Sequence, residues 1–453
     1  MKLYKFWFCL IGIAILGGCH KYLDTKPDVS LRVPETLEDL ELMLNNTGVM
    51  NLAGSAVPEG FSDNIFLYPS DQQALTLPSS MEIYTWGAQP FIGLPFPDDW
   101  SRLYQVVNVS NVVLEKLEKI QPAQHELNRW EQVKGTALFF RTRAFLESLV
   151  IWGKGWQAST AATDPGIPLK LTSDYNEPIN RQAVSACFEQ METDITTAIA
   201  LLNTTTGIVT KPNKAAACAL AARIYLYRSD FDQALKMAEA AIGLQNSLLD
   251  FNTLNTSAAY PVPRFNEETI FYSYVLAPQL LTNTRARIDT LLVEAFHTDD
   301  LRLQAWFRSQ SGGTRGFKGG FSGGSQLFTG FTVGEMMLVK AECLARLGSP
   351  AAAVHVLDQL LVSRYKKGKY QPLPVGNAAE VLEMVLMERR KETIYRCLRW
   401  YDLKRLQGIG EAMITLQRQT ATETIKLLPG DNRYAAAIPE LVIQSNGIAQ
   451  NPR

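Results

Sequence analysis

The chain has 453 residues, 46% of them hydrophobic and 20% charged, with 44 lysines and arginines against 45 aspartates and glutamates. That is an ordinary globular composition, long enough for two or three domains at about 100 to 200 residues each. It lacks the basic excess that draws a protein onto nucleic acid by counterion release, so a nucleic-acid partner is disfavoured.

The chain opens on a charged, apolar, small-residue progression. Lys2 and Lys5 precede the apolar run at 6–16, and Gly17, Gly18 and Cys19 follow it. The run is shorter than the roughly 20 residues a helix needs to cross a bilayer, and its order is that of a secretory signal over residues 1–18. Residues 19–35 read as an extended tether, because Pro27 and Pro34 bracket a polar stretch without helical period. TLEDLELML at 36–44 predicts a short helix with Thr36 as N-cap and Asp39 in the capping-box place. Residues 45–97, rich in Pro, Gly, Ser and Asn with scattered aromatics, read as a long loop-dominated region.

Apolar residues at three- and four-residue steps then predict helices over about 100–120, 124–152 and 181–202. Two later segments align with one another. Ala222, Tyr225, Ala234 and Ala241 fall at the same steps as Ala341, Leu344, Ala353 and Leu360. Small residues at those places let two helices approach closely, a spacing similar to the tetratricopeptide (TPR) helix-turn-helix unit. Between the two units, ETIFYSYVL at 268–276 reads as strand and the stretch 309–326 as glycine-punctuated loop. The expected fold is mostly α: TPR-like pairs at about 124–202, 213–244 and 334–363, a C-terminal helix and tail at 377–453, a few short strands, and two loop-rich excursions at 45–97 and 250–332.

Without Cys9 and Cys19, the cysteines are Cys187, Cys218, Cys343 and Cys397, far apart and each in helix-patterned sequence. They read as buried free thiols, with one disulfide as the alternative.

Several motifs together carry a family resemblance. Leu16-Gly17-Gly18-Cys19 resembles the lipobox of bacterial lipoproteins, followed by YLDTKP at 22–27. Glu388, Arg389, Arg390, Glu392, Arg399, Trp400, Asp402 and Leu403 resemble the late Glu-Arg-Arg-x-Glu and Arg-Trp-x-Asp-Leu segments of SusD/RagB-like outer-membrane lipoproteins, and Tyr434, Pro439, Asn451 and Pro452 resemble that family's tail. TDDLRLQAWF at 298–307 and GEMMLVKAECLARLG at 334–348 are similar to further family segments. The resemblance spans nearly the whole chain. It implies one SusD-like domain over 19–453 and a lipid on Cys19, palmitate being the usual class. It further implies anchoring at the cell-surface face of the outer membrane, oligosaccharide or other nutrient binding, a SusC-like TonB-dependent transporter as partner, and no enzymatic activity.

The charges of the 388–399 segment fall at steps of three and four that permit ion pairs, so a scaffold role is the first reading for them. Sugar binding needs flat apolar faces bordered by groups that take hydroxyls. The first excursion supplies Asp63, Asn64, Tyr68, Asp71, Tyr84, Trp86 and Gln89; the second supplies Trp306 and Phe321. Trp86 leads these candidates, because Gly87 and Pro90 beside it predict a surface turn. Trp100 and Trp130 belong to helical periods and read as core. His20, His125, His297 and His355 lack metal-ligand spacing, SGGTRGFKGG lacks the order of a phosphate loop, and no nucleophile elbow occurs, so neither cofactor nor metal is expected. A lipid-anchored glycoside hydrolase and a TPR-type peptide-binding adaptor remain as alternatives.

Overall fold

The computed structural model describes residues 34–94 and 98–453. Cys19, the signal and most of the tether lie outside the described residues. Among the described residues, ten helices of eight or more residues form the scaffold: α1 (Leu37–Leu44), α2 (Asp99–Leu117), α3 (Leu127–Trp152), α4 (Val184–Leu201), α5 (Lys214–Tyr227), α6 (Phe231–Leu244), α7 (Val333–Arg346), α8 (Pro350–Val362), α9 (Ala378–Glu392) and α10 (Arg399–Gly408). Their starts are written in short polar side chains that accept from otherwise orphaned backbone N–H groups. Thr36 and Asn377 form capping boxes with Asp39 and Glu380, and Asp98, Asn213, Asp230 and Thr332 cap α2, α5, α6 and α7.

The long helices stack in chain order. α2 packs on α3, α3 on α4, α4 on α5, α5 on α6, α6 on α7, and α7 on both α8 and α9. The predicted pairs α5/α6 and α7/α8 form, with Ala222, Ala234, Ala241, Ala341 and Ala353 fully buried where the helices approach. The α6/α7 contact carries the stack across the 88 residues, 245–332, that separate those pairs. Helix α3 is central: it is buried almost continuously from Val133 to Trp152. Its Arg141 grips Asp194 of α4 through two bonds of 2.8 Å and Asn111 of α2 at 2.9 Å. Charge inside a stack is tolerable when each hydrogen-bonding position is met in this way.

The first excursion departs from the expected open loop. Its described residues form four short helices, Thr47–Met50, Val57–Phe61, Pro69–Gln73 and Pro78–Tyr84, and the strand Ile65–Phe66. Residues from Met50 to Leu67 are mostly buried. The second excursion holds short antiparallel pairs. The strand predicted at 268–276 is split into Thr269–Phe271 against Phe331–Thr332 and Tyr274–Val275 against Leu327–Phe328. Between them the Tyr272 N–H donates to the Val209 carbonyl at 2.7 Å, so the break is held by a turn of the helical stack. The pair Ile65–Phe66 with Arg287–Ile288 joins the two excursions.

Arginines stitch these irregular segments to the helices. Arg364 reaches Glu268 and Glu392 at 2.7 Å each, and Arg302 reaches Asp300 and Glu392 at 2.7 Å each, all with fully buried side chains. Arg396 and Arg223 share Glu335 and both donate to the Gly330 carbonyl. The arginine-rich late segment is therefore scaffold. Cys187, Cys218, Cys343 and Cys397 are buried free thiols.

Candidate functional site

The Ile65–Phe66 strand pairs with Arg287–Ile288 in the register Phe66 to Arg287, which brings Tyr68 over Arg287. The guanidinium lies 5.3 Å from the Tyr68 ring centroid, and Phe66 meets the same ring edge-on at 5.6 Å. Asp71, on the helix that follows, holds Arg287 at 3.2 Å. Opposite stands the turn between the antiparallel strands Phe307–Ser309 and Arg315–Phe317. Gly312 in that turn has φ +69°, and a β-carbon there would sit 3.2 Å from the Tyr68 hydroxyl. Gln310 fixes the base of the turn by donating to the Asn283 carbonyl. The result is a surface shared by both excursions. Tyr68 is 36% exposed, its ring steadied by a guanidinium and bordered by a carboxylate. An aromatic face beside fixed hydrogen-bonding groups suits a flat, hydroxyl-rich ligand.

Tyr68 and Asp71 are the two sequence candidates that belong to this surface, and most of the others do structural work. Trp86 is 1% exposed: its indole N–H donates to the Phe61 carbonyl at 2.9 Å, and the Arg418 guanidinium lies 5.2 Å from its ring. The surface turn expected there is instead a left-handed kink, φ +53°, that turns the indole inward. Tyr84, also 1% exposed, accepts from the Leu67 N–H and lies under the same guanidinium. Trp306 packs edge-on against Phe251 and Phe321 packs tilted against Phe328; Trp306 and Phe321 are each 2% exposed. Gln89 is exposed, at the rim of a cavity of about 380 Å³ lined by Phe91, Ile92, Pro439 and Leu441.

Asp63 and Asn64 sit beneath the first excursion and fasten it. Arg399 clamps the Asp63 carboxylate at 2.7 and 2.8 Å, and Arg390 adds a contact at 3.4 Å. Burial opposes ionisation of Asp63, but the two guanidinium groups outweigh it and hold the carboxyl well below the usual range. Asn64 donates to Glu59 at 2.9 Å. Glu59 also accepts from the backbone N–H groups of Tyr395 and Cys397, at 3.2 and 3.0 Å. Those two residues have φ +56° and +61°, so one buried carboxylate pins the strained link between α9 and α10. Burial pushes Glu59 up to about 7. Sequence reasoning missed Arg287, Arg418 and Glu59, since no local pattern marks a residue whose partners lie hundreds of positions away.

The fold and this surface define a class: a helical-repeat scaffold carrying a loop-built, aromatic and polar recognition surface. Comparison with known proteins narrows it. Residues 21–226 match a SusD-like family model described as starch-binding associating with outer membrane, and residues 291–436 match the SusD family model. The chain belongs to the SusD/RagB-like family. Among solved structures, a SusD superfamily protein from Bacteroides thetaiotaomicron is 20% identical, covering 92% of this chain and 100% of its own, with a TM-score of 0.74. A SusD-like carbohydrate-binding protein from Bacteroides vulgatus is 16% identical over 91% and 97%, with a TM-score of 0.67. A laminarin-binding SusD-like protein is 16% identical over 92% and 98%, with a TM-score of 0.64. No curated protein matches the chain. The shared fold is mostly α with TPR-like pairs. Among the described residues no helix is long and apolar enough to cross a membrane.

Proposed function

We propose that this protein is an outer-membrane, cell-surface lipoprotein, acylated at Cys19, that binds an oligosaccharide and passes it to a SusC-like TonB-dependent transporter. The observation that carries the binding reading is the Tyr68 ring, left partly open and steadied by Arg287 where the two excursions meet. The family model's description as starch-binding and the laminarin-binding structural neighbour support glycan as the ligand class. Binding is favoured over hydrolysis because the acids near this surface are already engaged: Asp71 by Arg287, and Asp63 by Arg399 and Arg390.

Titration of the protein against starch- and laminarin-derived oligosaccharides tests the reading. Tyr68→Ala and Arg287→Met should each weaken binding about tenfold. Unchanged affinity in both variants would remove this surface from the function, and sugar release by the wild type would favour the hydrolase. Cys19→Ser should move the protein from membrane to soluble fraction. Because one acyl chain contributes only about 0.8 kcal/mol per buried methylene, stable attachment needs several chains. A variant that stayed membrane-bound would refute the anchor. Co-purification with a TonB-dependent transporter from detergent-solubilised outer membrane tests the partner.

A further inference from the structure

A second set of exposed rings lies in the other excursion, on residues other than those that form the Tyr68 surface. Phe265 is 50% exposed and Tyr260 is 42% exposed, with exposed Arg264 next to Phe265 in sequence. Phe265 has φ +59°, a left-handed backbone that a residue with a β-carbon adopts only at a cost. Its neighbours fix that conformation from both sides. Arg264 Nε donates to the Ser322 carbonyl at 3.2 Å, and the Asn266 side chain donates to the Pro263 carbonyl at 2.8 Å while accepting from the Glu268 N–H at 3.1 Å.

Beneath the array the chain is moulded to it. Tyr272, which Phe265 meets edge-on at 4.7 Å, donates to the same Ser322 carbonyl at 3.1 Å. The Arg264 guanidinium lies 5.7 Å from the Phe265 centroid and 5.4 Å from that of Tyr272. Gly319 and Gly323 take φ +154° and +68°; a β-carbon would fall 2.8 Å from the Tyr260 ring at the first and 2.7 Å from the Arg264 backbone at the second. The glycine-punctuated stretch of the sequence thus packs closely against the Tyr260 ring and the Arg264 backbone.

Folding alone does not account for a phenylalanine at position 265. Glycine would adopt the left-handed backbone without strain, and a ring left half in water forgoes much of its burial free energy. The structure holds an exposed ring in a strained place with a guanidinium 5.7 Å from its centroid, and a second exposed ring, Tyr260, packs on the same glycine stretch. We propose that Tyr260, Arg264 and Phe265 form a second sugar-contacting platform, separate from the Tyr68 surface, that engages further pyranose units of a long glycan. The rings take the C–H faces, and the guanidinium donates to hydroxyls. This rests on the reading that the protein binds glycan.

Soluble starch and laminarin, with the short maltose and laminaribiose series alongside, serve as probes for the wild type, Phe265→Gly, Tyr260→Ala and Tyr68→Ala. Affinity electrophoresis in polymer-containing gels should show Phe265→Gly and Tyr260→Ala weakening polymer retention about tenfold. Short-chain affinity should stay unchanged in both. The melting temperature of Phe265→Gly should equal or exceed that of the wild type, because the substitution removes strain. Full polymer retention in both variants, or a lowered melting temperature in Phe265→Gly, would overturn the platform. Wild-type protein that retains neither polymer nor oligomer would overturn the glycan reading and the platform with it. Loss of short-chain binding in Tyr68→Ala alone, with Phe265→Gly unaltered on polymer, would overturn the platform only.

Discussion

The two excursions from the helical stack resemble one another in composition and differ in what they do with aromatic rings. The first draws most of them inward, Tyr84 and Trp86 being core residues under Arg418, and leaves Tyr68 partly open. The second buries Trp306 and Phe321 but leaves Tyr260 and Phe265 exposed. The difference traces to what satisfies the backbone. A buried irregular segment carries N–H and C=O groups that no ladder meets, and in the first excursion arginines from distant elements donate to several of the carbonyls. Arg418 donates to the carbonyls of Gly60, Ser62, Ile65 and Tyr84, and Arg143 to those of Met50 and Ala53. Part of the second excursion is closed instead by its own serine and glycine turns, which leaves its rim in water.

The largest effect should come from cutting the charged seam under the second excursion. Arg364→Met leaves Glu268 and Glu392 buried around a lost guanidinium, and breaking such a site costs about 3–5 kcal/mol, read as a collapse of the thermal midpoint. In the first excursion Trp86→Ala should cost about 3–5 kcal/mol through the cavity it opens, also by thermal melting. A variant of undiminished stability would return Trp86 to the surface and erase the contrast.

A pH experiment sharpens the comparison at Glu59. Its carboxyl titrates near 4.5 when unfolded and near 7 in the fold, so the folded protein holds the proton more tightly. The stability this contributes is fully present below pH 4.5 and is lost as pH rises through about 7, on the order of 3 kcal/mol. Urea unfolding at pH 5 and pH 8 should show that slope in the wild type and a flatter one in Glu59→Gln. Smaller still, Arg129→Ala, which breaks the exposed pair with Glu41 at 2.7 Å, should change stability by less than about 1 kcal/mol. Tyr68→Ala should move the melting midpoint least, within about 0.5 kcal/mol, although it is expected to weaken ligand binding. A large destabilisation would make Tyr68 a packing residue.

Much of the scaffold was legible in local pattern. Thr36 and Asp39 announced the first capped helix, and the matched alanine spacing announced α5/α6 and α7/α8. The split of the predicted strand at 272–273 was not, because Tyr272 bonds to Val209 in a different part of the chain. The site was legible only in outline. The two excursions were found, and Tyr68 and Asp71 with them, but Gly87 and Pro90 marked a turn without saying which way its indole would face.

By itself the sequence determined the periodic elements, the first helix cap and the family, since each is written in residues a few positions apart or in motifs that survive as strings. Only the tertiary structure decided which rings are core and which meet solvent. Trp86 and Phe265 both sit in irregular chain at left-handed backbone angles. One is covered by an arginine 332 positions later in the chain and the other is left half in water, and that choice depends on partners brought together by folding.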